Sequence, residues 1–218
     1  MEDRKLTSVV IADELRLVRE GIVLLCEATG RYRVVHQCGD GADTLQLIKD
    51  VRPDLAILDL NLPRLYTLEI VRKIRAQEME TQIVVLSARG ERKLVIDALR
   101  SGANAFILKS ASSRNLLDAL DQVAAGGVYV SPELQLEKII LPTRRCECED
   151  PLDMLSSREY QVFTFLIDGI RAKEIAARLD LSPKTVDTYR ASLMRKLDIH
   201  DVAGLVKFAI QRDLTSVT

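Results

Sequence analysis

Five short apolar runs rich in β-branched residues recur along the first part of the chain: SVVIA (8–12), RVVHQC (33–38), DLAILD (54–59), QIVVLS (82–87) and NAFILK (104–109). Each is followed by residues at helical spacing. Val18, Ile22 and Leu25 share one face of the first helix, Ile70 and Ile74 mark the third, Leu94 and Ala98 the fourth, and Leu116, Leu120 and Val123 the fifth. Strands that are apolar on both faces and alternate with helices predict a five-stranded parallel sheet covered on both sides, a doubly wound α/β domain. Such sheets bind their ligands at the carboxyl ends of the strands, so the polar residues at those ends carry the functional question.

The alternation stops at about residue 128. A segment with Pro132, Pro142, Pro151 and the charged cluster RRCECED follows, and it reads as a helical and then flexible linker. From 153 the pattern is purely helical, with room for four short helices. The expected division is a first domain over 1–128, a linker over 129–152 and a small all-α domain over 153–218.

Charge follows this division. Residues 154–218 carry 10 Lys/Arg against 8 Asp/Glu, a balance of +2, which leaves 21 against 24, or −3, for residues 1–153. A basic C-terminal module suits phosphates and an acidic N-terminal one suits a cation. No uninterrupted apolar run approaches the roughly 20 residues of a membrane helix, so a cytoplasmic location without membrane contact is expected. Four cysteines are too few for a disulfide scaffold, and Cys26 and Cys38 are read as reduced thiols. Cys146 and Cys148 form a lone C-x-C that falls short of a tetrahedral metal site, and His36 and His200 stand isolated.

The first strand leads into Asp13 and Glu14, and the third ends in Asp59, so three carboxylates arrive at one edge of the sheet. Clustered like charges persist chiefly where a cation neutralises them, and magnesium is the cation this set suggests. The fourth strand ends at Ser87 and the fifth at Lys109, adding a hydroxyl and an ammonium. Carboxylates with a metal, a hydroxyl and a lysine are what a phosphoryl group in transfer requires, with Asp59 as the oxygen nucleophile.

The segments IADE, LAILDLNLP, VVLSA and FILKS, each at the end of its proper strand, resemble the receiver domains of two-component response regulators over roughly residues 6–126. The resemblance implies a flavodoxin-like fold in which Asp59 accepts phosphate as an acyl phosphate from a sensor histidine kinase or a small phosphodonor. It implies that Asp13, Glu14, Asp59 and the backbone carbonyl of Asn61 hold Mg²⁺, that Lys109 pairs with the phosphoryl oxygens, that Ser87 moves to bond them and that Phe106 follows by changing rotamer. Two departures stand out. Glu14 replaces a second aspartate, and the loop that usually reads like M-P-G-M-D-G is here Leu62-Pro63-Arg64-Leu65-Tyr66-Thr67, without either glycine. That loop must either strain or take another path.

In the helical tail, Ser156 and Glu159 predict a capping box, Gly169 a helix end, and Ser182-Pro183 a helix start. Val186, Tyr189, Leu193 and Leu197 fall on one face of that third helix, and Lys184, Thr188, Ala191 and Arg195 on the other at about 100° per residue. A short exposed helix with basic and small polar side chains suits a DNA major groove. Lys184, Arg190, Arg195 and Lys196 are the candidate phosphate contacts, with Asp187, Thr188 and Ala191 at the base edges and Thr185 as a further DNA-binding candidate. LSSRE, AKEIAARL, SPKTV and RKL resemble the LuxR/NarL helix-turn-helix, in which the third helix reads DNA and the fourth mediates dimerisation. Asp187, where members carry lysine, is suited to accept from a cytosine amino group or else stands as a solvated helix charge.

Together the resemblances imply a DNA-binding transcriptional regulator, not an enzyme, with double-stranded DNA, a sensor histidine kinase, RNA polymerase and a second copy of the chain in a homodimer as partners. Two other readings remain. In one the receiver is only a dimerisation or partner module, indifferent to phosphate. The other is an aspartyl-phosphate hydrolase, which commonly needs a second aspartate two residues past the nucleophile, where this chain has Asn61.

Overall fold

Six strands form one parallel sheet in the order β2-β1-β3-β4-β5-β6: β1 Thr7–Ala12, β2 Tyr32–Cys38, β3 Leu55–Asp59, β4 Gln82–Ser87, β5 Ala105–Leu108 and β6 Tyr129–Val130. The computed structural model describes residues 6–134, 150–212 and 214–215 and divides the chain into two units, 1–142 and 143–218. The five connecting helices of the first unit are α1 Arg16–Ala28, α2 Gly41–Val51, α3 Thr67–Ala76, α4 Arg92–Ser101 and α5 Ser113–Ala124. Val9, Ile11, Leu55, Ile57 and Val84 are fully buried, and α1 and α5 close one face over them with Ile22, Cys26, Leu120 and Val123. The strand order reverses between β1 and β3, so their carboxyl ends open onto the crevice where parallel sheets place ligands.

Two expectations need correction. The sheet has a sixth strand beyond the five expected: Tyr129 and Val130 pair with Ala105 and Phe106, and the one-turn 3₁₀ segment Pro132–Leu134 follows. Residues 129–134 thus belong to the sheet unit rather than to a helical linker, a role that a two-residue strand after Gly126-Gly127 is too short to announce by periodicity. The rest of the expected linker, with Cys146 and Cys148, lies outside the described residues up to 149. Second, β2 is not apolar on both faces, because it is the sheet edge and leaves His36 and Gln37 exposed.

Among the glycines of this unit, Gly41 at the start of α2 leaves the least room for a Cβ. The Gly41 amide donates to the Pro63 carbonyl at 3.0 Å, and a Cβ on Gly41 would stand 2.0 Å from the Leu65 carbonyl oxygen. The obstacle is backbone and cannot rotate away. Gly41→Ala is therefore expected to destabilise the first unit by about 2 kcal/mol, in the range of overpacked sites, as read by thermal unfolding; an unchanged midpoint would contradict the close approach.

Among its described residues the second unit holds four α-helices, α6 Ser157–Ile167, α7 Ala172–Leu179, α8 Pro183–Leu197 and α9 Val202–Ile210. Ser156 and Glu159 form the reciprocal capping box, Gly169 lies past the end of α6 at φ +76°, and the Ser182 hydroxyl accepts from the Thr185 amide with Pro183 at the first turn. Helix α8 packs on α6 and α7 through Val186, Leu193 and Leu197, and α9 packs on α6 through Leu205 and Ala209. No helix among the described residues is long and apolar enough to cross a membrane.

Candidate functional site

Because β1 and β3 are neighbours, Asp13, the first residue past β1, and Asp59, the last of β3, arrive together. Lys109, the first residue past β5, reaches both: its Nζ lies 2.5 Å from Asp13 Oδ2 and 3.0 Å from Asp59 Oδ1. Its amide also donates to the Ser87 carbonyl at 2.7 Å, which locks the ends of β4 and β5 together. Asp13 has no solvent exposure, and its Oδ1 accepts from the Leu15 amide at 2.8 Å. Burial pushes the Asp59 carboxyl above the usual carboxylate range; the Lys109 charge opposes this and the neighbouring Asp13 adds to it. Burial works against the Lys109 ammonium too, but the two carboxylates outweigh it and hold its pKa above the ordinary value.

Glu14 does not join this cluster. Its side chain is exposed, while Arg19 Nη1 donates to the carbonyls of Asp13 and Glu14 at 2.5 and 3.2 Å and holds the loop after β1. No three His, Cys, Asp or Glu side chains gather as a metal site among the described residues. The remaining donors still suit Mg²⁺, which takes one or two carboxylates and otherwise keeps water or phosphate oxygens. Asp13 and Asp59 would supply the carboxylates, whose mutual repulsion a divalent ion would relieve, and the exposed Asn61, two residues past Asp59, donates its amide to that carboxylate. Among the described residues, Cys26 and Cys38 are free thiols, in α1 and β2.

Ser87 is buried, and its hydroxyl accepts from the Arg89 amide at 3.1 Å; Phe106 is fully buried. The glycine-less loop adopts the strained alternative. Arg64, at the first missing glycine, has φ +60°, and its guanidinium pairs with Asp40 and Asp43. Thr67, at the second, is buried and its hydroxyl donates to the Asp59 carbonyl. The residues that sequence reasoning missed here are Arg19, Arg64 and Thr67. Arg19 and Thr67 bond backbone carbonyls five to eight residues away, and Arg64 meets Asp40 across 24 residues; none of these pairings leaves a trace in periodicity.

On α8, Lys184, Asp187, Thr188, Ala191 and Arg195 are exposed along one face, and Arg190 is half-buried beside them. Thr185 is occupied within the cap, its Oγ1 2.8 Å from Ser182 Oγ. Lys196 is likewise engaged, with Nζ 2.6 Å from Glu159 Oε2, while Ser192 Oγ donates to Oε1 of the same carboxylate at 2.7 Å. Burial opposes ionisation of Glu159, but Lys196, Ser192 and Ser156 together pull its pKa down to about 2. The outward role expected of Lys196 thus meets an inward ion pair, whose partner lies 37 residues earlier.

A parallel sheet with an aspartate, lysine and hydroxyl at its carboxyl edge, followed by a capped four-helix module with an exposed third helix, defines a receiver joined to a helix-turn-helix. Residues 9–121 match the family model of the response regulator receiver domain, and residues 153–209 that of the bacterial regulatory proteins of the luxR family. The chain belongs to the two-component response regulators of the NarL/LuxR type. It is similar to a putative transcriptional regulator of Pseudomonas aeruginosa, 34% identical over 96% of this chain and 100% of that protein. It is also similar to the probable transcriptional regulatory protein NarL of Mycobacterium tuberculosis, 33% identical over 94% of each. Among solved structures, the RcsB response regulator of Salmonella typhimurium, studied for its conformational dynamism in DNA interaction, aligns with a TM-score of 0.74 at 22% identity over 97% of this chain and 100% of that one, a likeness of fold.

Proposed function

We propose that the chain is a phosphorylation-controlled transcriptional regulator that acts in the cytoplasm. Asp59 accepts a phosphoryl group from a sensor histidine kinase and the acyl phosphate shifts the equilibrium of the helix-turn-helix unit toward a DNA-bound dimer. The observation that carries this reading is the Lys109 bridge between Asp13 and Asp59 at the carboxyl edge of the sheet. An Asp59 oxygen attacks phosphorus, the bond to the donor breaks, and the electron pair leaves with the donor; a bound Mg²⁺, held by Asp13, Asp59 and the Asn61 carbonyl, supplies charge neutralisation. Lys109 is already in place to turn from the Asp59 carboxylate to the new phosphoryl oxygens. Ser87, whose hydroxyl accepts from the Arg89 amide and so keeps its own proton to give, moves to donate to them, and Phe106 repacks in the space that its movement leaves. Lys184, Arg190 and Arg195 then hold DNA phosphates, with Asp187, Thr188 and Ala191 at base edges. RNA polymerase is the natural recipient of the signal.

The test is a DNA titration of the protein treated with a small phosphodonor and Mg²⁺, set beside Asp59→Asn. Treatment should tighten binding of the wild type roughly five- to 150-fold, the usual span of coupling between two sites, and leave Asp59→Asn unchanged. Equal binding in all arms would instead establish a receiver that serves only as a dimerisation or partner module.

A further inference from the structure

We propose that Arg64 is a positioning residue for the phosphoacceptor site: paired with Asp40 and Asp43, it holds the segment from Asn61 to Leu65 against the start of α2 and so fixes the Asn61 backbone beside Asp59. The inference rests on the reading of Asp59 as a metal-assisted phosphoacceptor.

Arg64 is a non-glycine residue at φ +60°, a conformation that an L side chain keeps only where the surroundings over-determine it. The surroundings do so through four contacts on one helix end. Arg64 Nε lies 2.5 Å from Asp40 Oδ2 and its Nη2 2.6 Å from Asp43 Oδ2. The Pro63 carbonyl, one residue earlier, accepts from the Gly41 amide, and the Leu65 carbonyl, one residue later, lies over the bare Cα of Gly41. Asp40 is itself fixed, because its other oxygen caps α2 by accepting from the amides of Ala42 and Asp43 at 2.8 and 3.0 Å. Burial disfavours the Asp40 anion, yet Arg64 and those amides hold its pKa below the usual range, so the partner is charged at neutral pH.

What lies at the near end of this segment is the site itself. The Asn61 amide bonds Asp59, and Thr67, past the loop, bonds the Asp59 carbonyl. A glycine at 64 would leave the loop free to sample several paths, of which one presents Asn61 correctly. Arginine with its two carboxylates selects that path, and ligand affinity rises by the fraction of molecules so selected. Sequence patterning marked the missing glycines as a departure; the structure supplies the part that replaces them.

The test is a Mg²⁺ titration of the full chain, followed by the amide chemical shifts of Asp59 and Asn61, for the wild type, Arg64→Ala, Arg64→Gly, Arg64→Lys and Asp43→Asn. Arg64→Ala and Arg64→Gly should bind Mg²⁺ about three- to tenfold more weakly at low salt, the scale of two exposed ion pairs acting on one loop. Arg64→Lys and Asp43→Asn should fall between them and the wild type. The Arg64 side chain is 47% exposed, so the gap between wild type and Arg64→Ala should close as ionic strength rises from about 0.02 to about 0.3 M; a role in packing alone has no such salt dependence. Arg64→Gly also relieves the backbone strain, so it keeps the comparison open should Arg64→Ala fail to fold. Mg²⁺ affinity unchanged in Arg64→Gly, or a wild type that does not bind Mg²⁺, overturns the proposal. If the Mg²⁺ pattern holds while no phosphodonor labels Asp59, the positioning role stands and the phosphoacceptor reading falls.

Discussion

Asp59→Asn is expected to abolish phosphoryl uptake and, in the same molecule, to make the first unit more stable at neutral pH. The carboxyl is buried beside Asp13, and its folded pKa lies above the ordinary value. A group whose pKa is raised on folding contributes stability in its neutral form, complete below the ordinary carboxylate pKa and lost as pH rises through the folded value. As pH rises, the fold therefore disfavours the ionised form of this carboxyl, a cost that Lys109 only partly compensates. Asparagine keeps the shape, leaves Lys109 to pair with Asp13 alone and removes the charge. The gain should be roughly 1–2 kcal/mol, typical of relieving a functional site, and should vanish as pH falls toward the ordinary carboxylate pKa. Added Mg²⁺ should narrow the difference, since it stabilises the wild type by binding its folded form. Thermal unfolding from pH 8 to pH 4, with and without Mg²⁺, reads all three effects. An Asp59→Asn protein less stable than wild type at neutral pH would mean that the carboxylate supports the fold, and the strain attributed to the site would be absent.

The same burial explains how much of the site was legible beforehand. Asp13, Asp59, Ser87 and Lys109 were readable because each interrupts or follows an apolar run, and in a parallel sheet all such interruptions point to one edge. Glu14 follows the same strand end, but its side chain is exposed where that of Asp13 is fully buried, a difference that the sequence alone does not display. The short β6 carried no period at all, and β2 was read as a buried strand because its valines hid its place at the sheet edge. In the tail, Ser156, Gly169 and Ser182-Pro183 were legible since caps are local, confined to three or four residues. What stayed hidden were pairings across distance. Arg64 meets Asp40 over 24 residues and Lys196 meets Glu159 over 37, and only coordinates bring those side chains together.

That last pairing should produce the largest loss of stability in the chain when broken. Glu159 ties three things at once: its Oε2 accepts from the Ser156 amide at 2.7 Å to start α6, its Oε1 accepts from Ser192, and Lys196 neutralises it from α8. Glu159→Ala removes a helix cap and breaks a mostly buried charge pair, for an expected cost of about 3 kcal/mol. Since the folded pKa of Glu159 is about 2 against an ordinary 4.5, its contribution is present above pH 4.5 and is lost as pH falls from there toward 2. The second unit of the wild type should therefore lose stability across that window, while Glu159→Ala should lose less of it. Lys196→Met separates the two roles that the lysine can play. If Lys196 positions the recognition helix through Glu159, the variant unfolds at lower temperature, and its DNA affinity keeps the salt dependence of the wild type. If it is a phosphate contact, stability is preserved and the slope of log affinity against log salt falls by about one. The inward pairing of Lys196 with Glu159 favours the first outcome.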